Sequence, residues 1–238
     1  MNVQWEAAWQ AVIHHPLFGV AITLAAFQLS YAAYEKTRWV FLQPVLVSML
    51  MVVCVLLACG LGYEDYRLSA QMLTVMLGPA TVALAVPLYL NLRRIRELFG
   101  PIMITLLVGG ITATALGMAL AWAFGADRMV LMTLAPKSVT SPIAMLVAEQ
   151  IGGVVALAAV FVMITGILGA IFGPELLRRF GVQHPAARGM ALGLTAHAVG
   201  TAQALQESEE CGAFAALAMS LMGVLTAVLL PLAVSLSL

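Results

Sequence analysis

Leu134-Ala-Pro-Lys-Ser-Val-Thr-Ser-Pro-Ile-Ala-Met145 decides how this chain is read. Lys137 stands there inside a run that is otherwise apolar from Met129 to Ala148. Pro136 and Pro142 each lack a backbone N–H, so a continuous helix through these residues is not expected. Ser138, Thr140 and Ser141 add hydroxyls that both donate and accept. A cation, a loosened backbone and hydroxyls at membrane depth are tolerated only when buried in protein or lining a cavity. The alternative is that Lys137 snorkels to a headgroup. It lies nine residues after Arg128, about 13 Å along a helix, which is a long reach for one side chain. The stretch therefore reads as a site within the membrane.

Composition outside the stretch agrees with that depth. Of 238 residues, 63% are hydrophobic and 9% charged, with a mean hydropathy of +1.02; an ordinary soluble domain carries about 25% charged residues. Net charge is zero, and nothing points to a nucleic-acid partner. The start, Met1–His15, has no Lys or Arg, so it lacks the basic flank of a cleaved signal peptide and the first apolar helix is expected to be retained. Cys54, Cys59 and Cys211 have no metal-ligand spacing and read as small core residues. No metal or other cofactor is expected.

Charged residues delimit eight apolar runs: 16–34, 39–63, 68–92, 98–126, 129–149, 151–173, 189–206 and 211–238. The expected fold is an all-α polytopic membrane protein of seven or eight transmembrane segments, one membrane domain over residues 1–238. Helix breaks are expected at Gly78, Pro79 and Pro87, at Pro136 and Pro142, and at Gly200. Runs 39–63 and 151–173, and 98–126 and 211–238, match at an offset of roughly 112 residues, which suggests an internal repeat with halves 16–126 and 127–238. The loops near Lys36, Arg93–Arg96 and Arg178–Arg188 are basic, and those near Glu64 and Glu207–Glu210 acidic. Basic loops on one face would set the acidic loops on the other and invert the two halves. Eight full crossings do not allow that, so Met129–Glu149 is expected to enter and leave on the same side, or to cross only in part.

All eleven acidic residues sit at the edges of the runs, and of the eleven Lys and Arg residues only Lys137 lies inside one. A cation carrier or proton pump ordinarily needs a buried carboxylate. One buried cation among hydroxyls suits a small organic anion instead, and half-helix N-termini add free N–H groups. Thr81, Ser138 and Thr201 follow helix breakers and are placed to line such ends. His197 has two readings: a packed histidine bonded to a neighbouring helix, or a group that contacts substrate or takes up a proton. The small-xxx-small spacings at Gly169–Gly173 and Gly189–Gly193 suit helix packing, and a homo-oligomer is expected. No GxxxxGK[ST], GxSxG or HExxH is present, so neither ATP-driven transport nor hydrolysis is expected and the chain is not read as an enzyme.

Five blocks carry a family resemblance: Leu77-Gly-Pro-Ala-Thr-Val-Ala-Leu-Ala-Val-Pro-Leu-Tyr89, Pro136-Lys-Ser-Val-Thr-Ser-Pro-Ile-Ala-Met145, Gly152-Gly153, Arg188-Gly-Met-Ala-Leu-Gly193 and Ala196-His-Ala-Val-Gly-Thr-Ala202. With these the chain resembles the LrgB/CidB family of bacterial membrane proteins, from Tyr31 to the C-terminus. Ser141 stands where the family usually has Thr, which keeps the hydroxyl. The resemblance implies a multi-pass protein of the bacterial inner membrane, working beside a smaller LrgA/CidA-type partner chain. It also implies a holin-like role in autolysis and murein-hydrolase export, while relatives resembling the plastidial glycolate/glycerate translocator, and bacterial members linked to pyruvate uptake, imply transport of small monocarboxylates. Two functions stay open. The first, which the buried cation favours, is a proton-coupled secondary carrier of glycolate, glycerate, pyruvate or lactate, bound by Lys137, Ser138, Thr140, Ser141, Thr81, His197 and Thr201. The alternative is a holin-like pore or autolysis modulator, which would need neither Lys137 nor His197.

Overall fold

Apolar runs bounded by charge become helices throughout, and no strand occurs among the described residues. The computed structural model describes residues 2–37, 39 and 42–236, without the side chains of residues 2–5 and 81. The chain forms two compact units, Met1–Ala83 and Leu84–Leu238.

In the first unit α1 (Asn2–Ile13) is followed by α2 (Phe18–Thr37), α3 (Pro44–Cys59), α4 (Tyr63–Ser69) and α5 (Gln71–Ala83). Pro44 opens α3, where a missing N–H costs nothing, and Gln43 Oε1 accepts the Leu46 N–H at 2.8 Å. Gly60 ends α3 in the left-handed conformation. α2 packs along α3, and the Thr23 hydroxyl meets the Tyr66 hydroxyl of α4 at 2.9 Å. The break expected at Gly78-Pro79 does not occur, because α5 runs through both residues. A lone proline removes one hydrogen bond, and here the helix tolerates the loss.

The second unit begins with three short helices, α6 (Ala85–Leu90), α7 (Leu92–Glu97) and α8 (Phe99–Ile104). Pro87 falls third in α6; its nitrogen has no proton for the Ala83 carbonyl, which fits an interruption at Leu84. A π-helical turn, Thr105–Gly109, leads into α9 (Gly110–Ala123). Then come α10 (Arg128–Leu134), α11 (Ser141–Gln150), α12 (Val155–Arg179), α13 (Pro185–Glu207) and α14 (Glu209–Leu236).

Four helical stretches are long and apolar enough to cross a membrane: Gln71–Leu90, Phe99–Ala123, Val155–Arg179 and Glu209–Leu236. Two bent pairs, Glu6–Ile13 with Phe18–Thr37 and Pro44–Cys59 with Tyr63–Ser69, raise the number to six. The other two apolar runs fold back. α10 and α11 are separated by the turn 135–140, and past α11 the Val154 N–H donates to the Thr133 hydroxyl of α10 at 2.8 Å. α13 turns at Ala196 (φ −117°, ψ 15°) and His197 (φ 42°, ψ −130°). Arg188 and Glu207, nineteen residues apart, then form a two-pronged ion pair, Nε–Oε2 2.7 Å and Nη2–Oε1 2.9 Å. A straight helix would hold them about 28 Å apart. The break expected at Gly200 therefore lies three to four residues earlier.

This fold-back corrects the loop assignment. Arg94 Nε lies 3.0 Å from Glu210 Oε1, and Arg94 Nη2 3.3 Å from His184 Nε2. The basic Arg93–Arg96 loop, the Arg178–Arg188 loop and the acidic Glu207–Glu210 loop thus meet at one end of the second unit. The reason is physical: α13 returns to the end it left, so the acidic residues after it cannot stand opposite the basic ones before it. Single cysteines replacing Arg94 and Glu209, in a background lacking Cys54, Cys59 and Cys211, should react with a membrane-impermeant maleimide from the same side. Labelling from opposite sides would rule out the folded-back α13.

Candidate functional site

The first fold-back places Lys137. After α10 the chain makes two tight turns, with the Lys137 N–H donating to the Leu134 carbonyl at 3.0 Å and the Val139 N–H to Pro136 at 3.3 Å. Thr140 is extended (φ −66°, ψ 149°), and α11 restarts at Ser141 with Pro142 second. Pro136, Ser138 and Val139 are buried, while Lys137, Thr140 and Ser141 are half-buried. The Thr140 side chain does not cap α11, so the N–H groups of the first turn keep their capacity to donate.

Lys137 Nζ donates to the Ala113 carbonyl of α9 at 2.9 Å. Gly117, one turn further along α9, makes room for the lysine stem: a Cβ there would stand 2.9 Å from both Cε and Nζ. The amine therefore points into protein, and its partner is a neutral carbonyl. Among the described residues Lys137 makes no ion pair.

The second fold-back places His197 and Thr201, both buried. His197 has a positive φ without being glycine, a conformation that costs about 1–3 kcal/mol unless the surroundings fix it. They do so from two sides. His197 Nε2 donates to the Val162 carbonyl of α12 at 2.9 Å, and the Thr201 hydroxyl donates to the His197 carbonyl at 2.9 Å. This is the packed-histidine arrangement of the two readings. Gly189 and Gly193 let α13 lie directly on the Cys211 and Ala215 carbonyls of α14, where a Cβ would collide.

Both tips reach one core. Val139 from the first and Leu194, beside the second, share a buried apolar cluster with Val162 and Phe214. Lys137, Ser138, Thr140 and Ser141 thus belong to one fold-back and His197 and Thr201 to the other. Gly78 and Pro79 belong to the first unit, and the Thr81 side chain lies outside the described residues. Sequence reasoning missed Gly117, Val162 and the Arg188–Glu207 pair. Opposite charges flanking run 189–206 were the available signal for the pair; an isolated glycine and an isolated valine gave none.

The sequence profile of the LrgB-like family matches residues 23–236. The chain belongs to the LrgB-like family. It is 36% identical over 215 residues, 90% of this chain and 94% of the relative, to "Uncharacterized protein YxaC" of Bacillus subtilis (strain 168). It is 30% identical over 218 residues, 91% of this chain and 95% of the relative, to proteins named "Antiholin-like protein LrgB" in Bacillus mycoides (strain KBAB4) and Bacillus cereus (strain B4264). No solved structure matches.

In this LrgB-like chain the ion pair that closes α13 is largely shielded, its side chains 15% and 21% exposed. Arg188→Ala leaves the Glu207 carboxylate without its partner and should cost about 1–3 kcal/mol. Glu207→Gln in the same background should restore part of that loss. Unfolding in detergent across the double-mutant cycle measures this, and a coupling near zero would show that the pair does not hold the fold-back shut.

Proposed function

We propose that this chain is an antiholin-like, non-enzymatic protein of the bacterial inner membrane, modulating autolysis beside a smaller LrgA/CidA-type partner. The observation that carries the reading is 30% identity across 91% of the chain to relatives named antiholin-like. The comparisons favour this over the carrier, which Lys137 and the expected helix breaks had put first. The antiholin-like reading asks for several apolar helices in the bilayer, and the four to six candidate spans supply them.

One structural observation favours a second reading, a secondary carrier of a small organic anion of the monocarboxylate type. Lys137 is held at a helix break, and among the described residues its charge is bonded to the neutral Ala113 carbonyl and to no carboxylate. Lys137 is half-buried, and a partly desolvated cation without a counter-charge is costly; a substrate carboxylate would supply one. Hydroxyls at Ser138, Thr140 and Ser141, with the open first turn of α11, would add donors to the same group. Two fold-backs that share one buried cluster through Val139 and Leu194 also suit carriers built on broken helices.

Two readouts separate the readings. Autolysis is followed in cells that lack their own LrgB-like protein and express wild type, Lys137→Met or Gly117→Ala. Uptake of labelled pyruvate, glycolate and lactate is followed in proteoliposomes of the same proteins. The antiholin-like reading expects a wild-type autolysis phenotype in all three and no saturable uptake in any. The carrier reading expects saturable uptake that Lys137→Met lowers by roughly ten-fold to a hundred-fold, the equivalent of about 1.5–3 kcal/mol for a charge-assisted bond. Gly117→Ala, which moves the amine without removing it, should fall between the two.

A further inference from the structure

We propose that α9 is a lid over the Lys137 amine, pivoting on the π-helical turn and latched shut by the lysine itself. The lid depends on neither functional reading, because its latch lies within the chain. The two ends of the apolar span Phe99–Ala123 are held very differently. Ile102, ahead of the π-helical turn, and Leu106, inside it, are 3% and 1% exposed and belong to the buried cluster. Beyond Gly110 no residue of α9 is buried. Among the described residues, the bond from Lys137 Nζ to the Ala113 carbonyl is the one hydrogen bond that ties α9 to another element.

Local chemistry makes each end a pivot. A π-helical turn closes i→i+5 bonds and occurs mostly as a single turn set into an α-helix, and such turns are where long helices bend. This one ends on Gly109-Gly110, the residue type with the least restricted backbone. At the other end Gly125, with φ 84°, turns the chain towards α10. α9 is thus a rod between two pivots. Ala113 and Gly117, one turn apart, form the face that meets Lys137, and a Cβ at Gly117 would stand 2.9 Å from both Cε and Nζ. The group that closes the lid is therefore the group that opening uncovers. One bond to a neutral carbonyl is a light latch, and segments that open locally are those with few buried contacts.

Lys36 and Lys137 are the only lysines in the chain, and Lys36 is exposed, so a pulse of acetic anhydride reads Lys137 against an internal standard. Purified protein is pulsed in detergent and both lysines are quantified by peptide. In the wild type Lys137 should react more slowly than Lys36. Two variants push the lid in opposite directions. Deleting Val108, which is exposed, shortens the π-helical turn to an α-turn while both flanks keep their faces, and should slow Lys137 severalfold. Gly117→Ala sets a methyl group against the lysine stem, props the lid and should speed Lys137 severalfold. Hydrogen exchange then locates the pivot: in Gly117→Ala the amides of 110–123 should exchange faster and those of 99–104 should not. Should the deletion fail to fold, the exchange pattern of Gly117→Ala decides alone. Equal rates for the two lysines in the wild type, or an unchanged Lys137 rate in either folded variant, would overturn the lid. Faster exchange that extends through 99–104 would overturn the pivot and the proposal with it.

Discussion

A backbone amide released from a helix must find another partner, and hydrocarbon offers none. The second unit is arranged around that constraint, because two of its apolar runs stop half-way and turn. At the first turn the Thr133 hydroxyl accepts the Val154 N–H, and Pro136 and Val139 sit in full burial. At the second, Thr201 takes the His197 carbonyl and the imidazole takes the Val162 carbonyl. α12 packs against both α11 and α13, so one helix lies beside both interruptions. Small residues allow the closeness: Ala144, Ala158, Ala196, Ala215 and Ala218 are all inaccessible.

Lys137 tests the same constraint with a full charge. The Ala113 carbonyl satisfies one of its three donors and none of its charge. A hydrophobic side chain of similar length would lie along Gly117 at no electrostatic cost.

Much of this was legible in the chain. Uncharged runs bounded by Arg, Lys, Asp and Glu marked the helices, and a lysine between two prolines marked the first fold-back, because each signal acts over a few residues. Prolines were the less reliable guide. Pro79, Pro174 and Pro231 all lie inside helices, since a proline removes a single hydrogen bond and the rest of the helix ladder remains. The turn in α13 was located three to four residues late. Gly200 drew attention by its chemistry, whereas the break is set by His197 and its bond to a residue thirty-five positions away. That contact has no local trace. The side of the Glu207–Glu210 loop was misread for a related reason: counting charges pointed to one run that does not cross, Met129–Glu149, and only packing reveals the second, α13.

The shape of α13 bears on how the chain enters a bilayer during synthesis. Unlike the stretches before and after it, α13 is not among the helices apolar enough to cross unaided, and its inner limb lies backbone to backbone on α14 through Gly189 and Gly193. The surface on which that limb lies is made only when residues 209–236 are made, because Cys211 and Ala215 belong to α14. Only then do the Cys211 and Ala215 carbonyls provide a surface on which the limb can settle.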